Sequence, residues 1–342
     1  MDWEIAKAIG LFLIGLVMLI KGGDWFVDGA TGIARRFHLP ELLIGATVVS
    51  IGTTLPEVMV SAQAAAAGQG ATAYGNAIGS IICNTSLIAA LTIAIKPSEA
   101  ARKSLILPVS FFFGAAAFYV TIAYTTGYFS RLVGIILLLA FIVYMFLNVL
   151  SVKKANLPLG DVSETELEAQ TGEDHVVESE KDGTKDSLVK DIILLVVGAI
   201  VIAIGATFLV DNGPIIARAV GVPESVIALI FVALGTSLPE LVTAVTALAK
   251  GHGALSLGNI IGANLFNLVL VSGISATVGP FPIPSESTIA GINASYVLDI
   301  PLMLTVMLIL TIPTIIKGKL SRWQGILMLL MYAAFCVIQF VM

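Results

Sequence analysis

A chain of 342 residues that is 57% hydrophobic and only 12% charged, with a mean hydropathy of +0.99, is a polytopic membrane protein rather than a soluble domain. Its net charge of −5 comes from acids concentrated in one loop, and no basic stripe supports nucleic-acid binding. Cys83 and Cys336 sit in apolar runs, and His38, His175 and His252 at loop positions without an HExxH pattern, which argues against a disulfide framework or a zinc site.

Ten spans are predicted, at 4–34, 40–67, 71–95, 104–125, 131–152, 187–217, 223–249, 253–279, 288–314 and 321–341. The first follows Asp2 and Glu4, lacks a basic leader and runs past signal-peptide length, so it is expected to be retained as a span. It carries Lys21, Asp24 and Asp28 towards its far end and is expected to be long and tilted. Asp28 and Asp211, seven residues before Arg35 and Arg218, read as local structure or ion access rather than as ligands. Asp299, before Pro301 in the ninth span, reads as a hydrogen-bonded or water-exposed acid and stays outside the predicted site.

Lysine and arginine set the orientation. Fourteen of the 18 fall on the side opposite the termini and three on the terminal side, which places both termini outside the cell (inner) membrane. Residues 153–186 form the one clear polar stretch. From Asp161 to Asp186 it holds ten acids and two lysines and reads as a solvated cytoplasmic linker. It separates an N-terminal five-helix unit, 1–152, from a C-terminal one, 187–342.

The two units are copies. A shift of 183 aligns residues 26–88 with 209–271 without a gap, with about 25 of 63 positions identical. Five spans separate equivalent points, an odd number, so the copies must cross the membrane in opposite senses. The expected fold is an all-α polytopic membrane protein of ten transmembrane helices in two inverted repeats, with helices 2 and 7 discontinuous. A channel or membrane enzyme has no need of that symmetry.

Each copy carries one expensive motif, Gly52-Thr53-Thr54-Leu55-Pro56-Glu57 and Gly235-Thr236-Ser237-Leu238-Pro239-Glu240. The proline removes a helix hydrogen bond and crowds the carbonyl four residues earlier, which predicts a helix broken before each Glu. Free carbonyls, hydroxyls and a carboxylate at membrane depth are oxygen ligands for a hard cation. One buried acid can be a protonated structural residue; two at symmetry-related positions, with no Lys or Arg at that depth, point to a site. In the third span Asn76, Ser80 and Asn84 share one helical face, matched by Asn259, Ala263 and Asn267 in the eighth. Gly75/Gly79 and Gly258/Gly262 let helices approach closely.

The paired motifs, GTTLPE with GNAIGSIICN and GTSLPE with GNIIGANLFN, resemble the α-repeats of the calcium/cation antiporter superfamily, sodium/calcium exchanger branch, in the pattern of a prokaryotic member. The resemblance implies an antiporter that exports Ca²⁺ in exchange for Na⁺. It has a central site on Glu57 and Glu240, and long first and sixth spans that slide as a gate. It implies main-chain ligands at Thr53, Thr236, Ser50 and Ala233, hydroxyl ligands at Thr54, Ser237 and Ser80, and amide ligands at Asn84 and Asn267. Asn at 267, where potassium-requiring relatives tend to carry Asp, favours a potassium-independent mode. Ala263 departs from the family, which usually supplies a hydroxyl there, and this leaves coupling by protons as the alternative.

Two ionised glutamates give a charge of about −2, which one Ca²⁺ or two protons neutralise and three Na⁺ bring to +1; each loading avoids a large buried charge. Ca²⁺ and Na⁺ (or H⁺) and the lipid bilayer are the partners implied, with no cofactor, nucleic acid or obligate protein partner. An intramembrane hydrolase would need a metal cluster, an aspartate pair or a Ser–His pair at depth, and the sequence offers none.

Overall fold

The computed structural model describes residues 2–37, 39–155, 185–219, 235–285 and 288–341. Ten helical elements follow the expected spans. They are α1 (Asp2–Arg36), α2 (Glu41–Ala66), α3 (Gly70–Ile95), α4 (Arg102–Thr125), α5 (Arg131–Ala155), α6 (Lys185–Ala219), α7 (Leu238–Ala249), α8 (Gly253–Val278), α9 (Ser295–Lys317) and α10 (Arg322–Val341). Among the described residues nine are long and apolar enough to cross a bilayer. The other, α7, is the described half of the expected span 223–249; its first part lies outside the described residues, as does most of the expected linker.

The protein is a multi-pass membrane protein. Large apolar side chains such as Leu13, Ile20, Ile142 and Leu330 are left exposed on its outer faces, where lipid rather than water is the solvent. The helices at the centre are α8 and α3, while α1, α6 and α10 lie at the periphery. α9 starts later than the expected residue 288. Residues Thr288–Ile289 and Ile292–Asn293 pair as a small antiparallel hairpin whose turn residues, Ala290 and Gly291, both have positive φ, 50° and 79°. A second short pair joins the halves, with Tyr128 opposite Pro282 and Phe129 opposite Phe281.

α1 and α6 pack along their length through glycines seven residues apart. Gly15 and Gly22 on α1 meet Gly205 and Gly198 on α6, Gly29 meets the backbone of Asp191 and Leu195, and a methyl group added at Gly198 would fall on the backbone of Phe26. Lipid offers no hydrophobic drive between helices, so this backbone approach is what holds them. At one end of α1, Lys250 sits between Asp24 (3.4 Å) and Asp28 (2.7 Å), which gives Asp28 a local structural role.

Local features recur at positions related by the repeat shift. α2 and α7 end in the same turn, with Gly68 and Gly251 at φ 75° and 88°. The Gln69 and His252 amides donate to Ala64 and Ala247, each at 2.8 Å. α3 and α8 each contain a wide π turn, and these begin at Asn84 and Asn267, positions related by the repeat shift. Asp299 accepts a hydrogen bond from Gln339 at 3.3 Å.

Candidate functional site

The break expected before Glu57 is not there. Ser50–Ala66 is one α-helix with Pro56 inside it, and the irregular backbone lies earlier, in a π turn at Gly45–Val49. Pro56 still brings no N–H to the Gly52 carbonyl, so that acceptor is left without its helical partner while the helix axis persists. In the second copy the helix starts at Leu238, with Pro239 and Glu240 in its first turn. Residues 235–237 form a turn before it. Proline is tolerated there because the first-turn N–H has no partner anyway, and the helix N-terminus favours the negative charge of Glu240.

Glu57 and Glu240 are fully buried electrostatic neighbours at the centre of the protein. Neither carboxyl group completes a hydrogen bond with a described residue. The same holds for the Thr54 and Ser237 hydroxyls and for both amide atoms of Asn84 and Asn267. These six side chains are three repeat-related pairs, all with 1% exposure or less. Each unmet buried polar group costs about 1–3 kcal/mol, so six in one protein interior mark a place that something else completes. Carboxylate, hydroxyl and amide oxygens are ligands of hard cations such as Ca²⁺ and Na⁺, and the set fits them as transported ions.

The helices bring these groups together crosswise. The π turn at Asn84 packs against α7, which carries Glu240, and the π turn at Asn267 packs against the α2 helix that carries Glu57. A π turn opens the helix where it occurs and is common at functional positions. The Thr53 and Thr54 hydroxyls neighbour the Glu240 carboxyl without completing a bond to it. Thr53 instead donates to Asn259 Oδ1 at 3.2 Å, and Thr236 donates to Asn76 Oδ1 at 3.1 Å. Each copy's motif is therefore tied to the other copy's asparagine.

The remaining predicted residues fall as follows. Ser80 is buried. The Ser50 hydroxyl points at the carbonyls of Gly45 (2.7 Å) and Asn259 (3.0 Å), away from ligand duty, so any contribution to an ion comes from its main chain. Ala233 lies outside the described residues. Ala263 is fully buried, so a methyl group takes the place of the expected hydroxyl. Gly258 and Gly262 approach Leu42, Ala46 and Ser50 closely. The segment that symmetry sets opposite Gly75 and Gly79 is outside the described residues.

Three polar residues of this interior escaped the sequence reading. Ser61, one turn beyond Glu57, accepts from Asn76 Nδ2 at 2.8 Å. Thr243, one turn beyond Glu240, is fully buried with an unmet hydroxyl. Asn264 donates to Thr85 at 2.7 Å. Helical spacing from each Glu was the signal for the first two; Asn264 has no counterpart in the first copy, where Ile81 stands.

A family model described as sodium/calcium exchanger protein matches residues 7–150 and 190–341. The sodium/calcium exchanger MaX1 of Methanosarcina acetivorans is 30% identical over 352 residues, covering 96% of this chain and 97% of that protein. The inner membrane protein YrbG of Escherichia coli is 34% identical over 279 residues, 80% of each chain. A structure of the sodium-calcium exchanger NCX_Mj soaked with Na⁺ and Sr²⁺ superposes with a TM-score of 0.75 and 31% identity, covering 96% of this chain and 98% of that one.

Proposed function

The chain belongs to the sodium/calcium exchanger protein family, and we propose that it is a secondary active antiporter that exports Ca²⁺ in exchange for Na⁺. Glu57 and Glu240 supply the charge that binds the ions, and Thr54, Ser237, Asn84, Asn267 and Ser80 supply neutral oxygens. Main-chain oxygens of Ser50, Thr53, Ala233 and Thr236 complete the set. The observation that carries this reading is the three repeat-related pairs of buried side chains with unmet oxygens.

Two inverted copies make the site reachable from either face in turn. The Asn76–Thr236 side is half-buried and the Asn259–Thr53 side is buried, which supports access from one face at a time. The charge bias of the loops makes the half-buried side extracytoplasmic, with both termini there and residues 153–186 in the cytoplasm. The cell membrane is the location in keeping with the Escherichia coli relative, named an inner membrane protein.

Proton-coupled export at the same glutamates is the second reading, and Ala263 favours it by removing a hydroxyl from the ligand set. Proteoliposomes separate the two. Loaded with Na⁺, they take up ⁴⁵Ca²⁺ under an outward Na⁺ gradient if the first reading holds. Uptake driven by a pH gradient alone, indifferent to Na⁺, defeats it in favour of the second.

A further inference from the structure

Asn76 and Asn259 occupy equivalent positions, yet their amides are held differently. Asn76 Nδ2 donates to Ser61 Oγ at 2.8 Å and to the Glu57 carbonyl at 3.3 Å. A carbonyl can only accept, so the NH₂ end of this amide must face α2, and Oδ1 must face Thr236. Amide oxygen also only accepts. The Thr236 hydroxyl, 3.1 Å away, therefore has to donate, and its single proton is committed.

The second copy lacks this anchor. Ser61 is replaced at its equivalent position by Ala244, and Asn259 Nδ2 is buried with no partner among the described residues. Asn259 Oδ1 lies 3.2 Å from the Thr53 hydroxyl and 3.3 Å from that of Ser50. A half-turn of this amide would turn Nδ2 to both hydroxyls and release the Thr53 proton towards the neighbouring Glu240 carboxyl.

We propose that Asn76 is a positioning residue: anchored by Ser61 and the Glu57 carbonyl, it ties down the Thr236 hydroxyl and so holds in place the Thr236 main-chain oxygen assigned to the ion, while the unanchored Asn259 leaves the Thr53 side chain free to change partner. The two ends of the site then differ in kind. A motif tied through an anchored amide keeps its main-chain oxygen fixed at all times. A motif tied through an amide that can turn over is able to exchange its hydrogen bond while the site changes occupancy. The proposal rests on the antiporter reading above.

The test is a double-variant cycle on Na⁺-dependent ⁴⁵Ca²⁺ exchange in proteoliposomes, using Asn76→Ala, Thr236→Val and the two combined, with Ser61→Ala as a mild variant that makes the first copy resemble the second. Each of the first two raises the Na⁺ concentration for half-maximal exchange about 5–10-fold, with the maximal rate retained at saturating Na⁺. The double variant is no worse than either alone, because both remove the same tie on the Thr236 main chain. Ser61→Ala gives a smaller shift in the same direction, about twofold, and carries the cycle with Thr236→Val if Asn76→Ala does not fold. Shifts that add in the double variant, an unchanged Na⁺ dependence in Thr236→Val, or a lost maximal rate at unchanged half-saturation overturn the assignment while leaving the antiporter reading intact. A wild-type protein without Na⁺-driven uptake overturns both.

Discussion

The Thr236 hydroxyl bonds Asn76 Oδ1 at 3.1 Å across 160 residues of sequence, and the same bond recurs between Thr53 and Asn259 at 3.2 Å. In each pair the threonine proton and the amide oxygen satisfy one another. What the pairing does is tie each motif to the helix of the opposite copy, which leaves Thr54, Ser237 and the two glutamates beside it with unmet oxygens. Structural bonds and open ligand positions thus alternate along one motif.

Replacing either acid by its amide keeps the shape and removes one charge. Glu57→Gln and Glu240→Gln are each expected to bring exchange down to background in ⁴⁵Ca²⁺ flux, because a site of about −1 cannot neutralise a buried divalent ion. Both variants should elute from size exclusion as the parent does. Wild-type transport in either would sink the placement of the site.

Asn84 and Asn267 contribute no hydrogen bond to a described residue from their side chains. Removing an unmet buried amide should not destabilise through lost bonds, although the smaller side chain leaves some unfilled volume. Asn84→Ala and Asn267→Ala are expected to keep thermal stability in detergent within about 1 kcal/mol of the parent, while half-saturating Ca²⁺ rises about tenfold. Loss of stability with unchanged Ca²⁺ dependence would make these residues structural.

Ala263 is buried where the first copy has Ser80. Ala263→Ser returns a hydroxyl to the ligand set and is expected to raise Na⁺ affinity or the cooperativity of Na⁺ dependence. The measurement is the Na⁺ titration of exchange, and an unchanged curve would mean that position 263 does not face an ion.

The glycines of α1 and α6 differ sharply in what surrounds them. At Gly198 an added side chain meets the Phe26 backbone, whereas at Gly10 nothing lies within 4 Å. Gly198→Leu should therefore cost about 1–3 kcal/mol or prevent folding. Gly10→Ala should be neutral or stabilising by up to about 1 kcal/mol, as expected of an exposed helical glycine. Melting of the two variants in detergent checks the contrast; equal melting temperatures would refute backbone-level packing of these helices.

Much of this was legible in the chain. Apolar runs long enough to cross a bilayer stand out because each lipid-facing stretch must satisfy its own backbone and carry few charges. The shift of 183 showed that the motifs come in pairs, and the same shift relates the turns at Gly68 and Gly251 and the π turns at Asn84 and Asn267. Glu57 and Glu240 were conspicuous as acids at depth. The hairpin before α9 was missed because Thr288-Ile289-Ala290-Gly291-Ile292-Asn293 is apolar enough to pass for the start of a span.

The proline motif shows where local rules stop. Read alone, Pro56 demands a broken helix; in the protein, α2 runs through it and loosens one turn sooner, at Gly45–Val49. A helix can lose a bond and continue when neighbouring helices hold it, and no window of sequence contains those neighbours.

The sequence by itself determined the spans, the duplication and the two acids, because a bilayer makes every polar residue at depth visible against its background. Only the tertiary structure decided which oxygens are free and which are bonded. Ser61 anchors Asn76 from a neighbouring helix while Ala244 leaves Asn259 unanchored, and Thr53 and Thr236 find their partners in the opposite copy. A hydroxyl's role depends on where its one proton goes, and that is set by groups brought alongside it from 160 or 206 residues away.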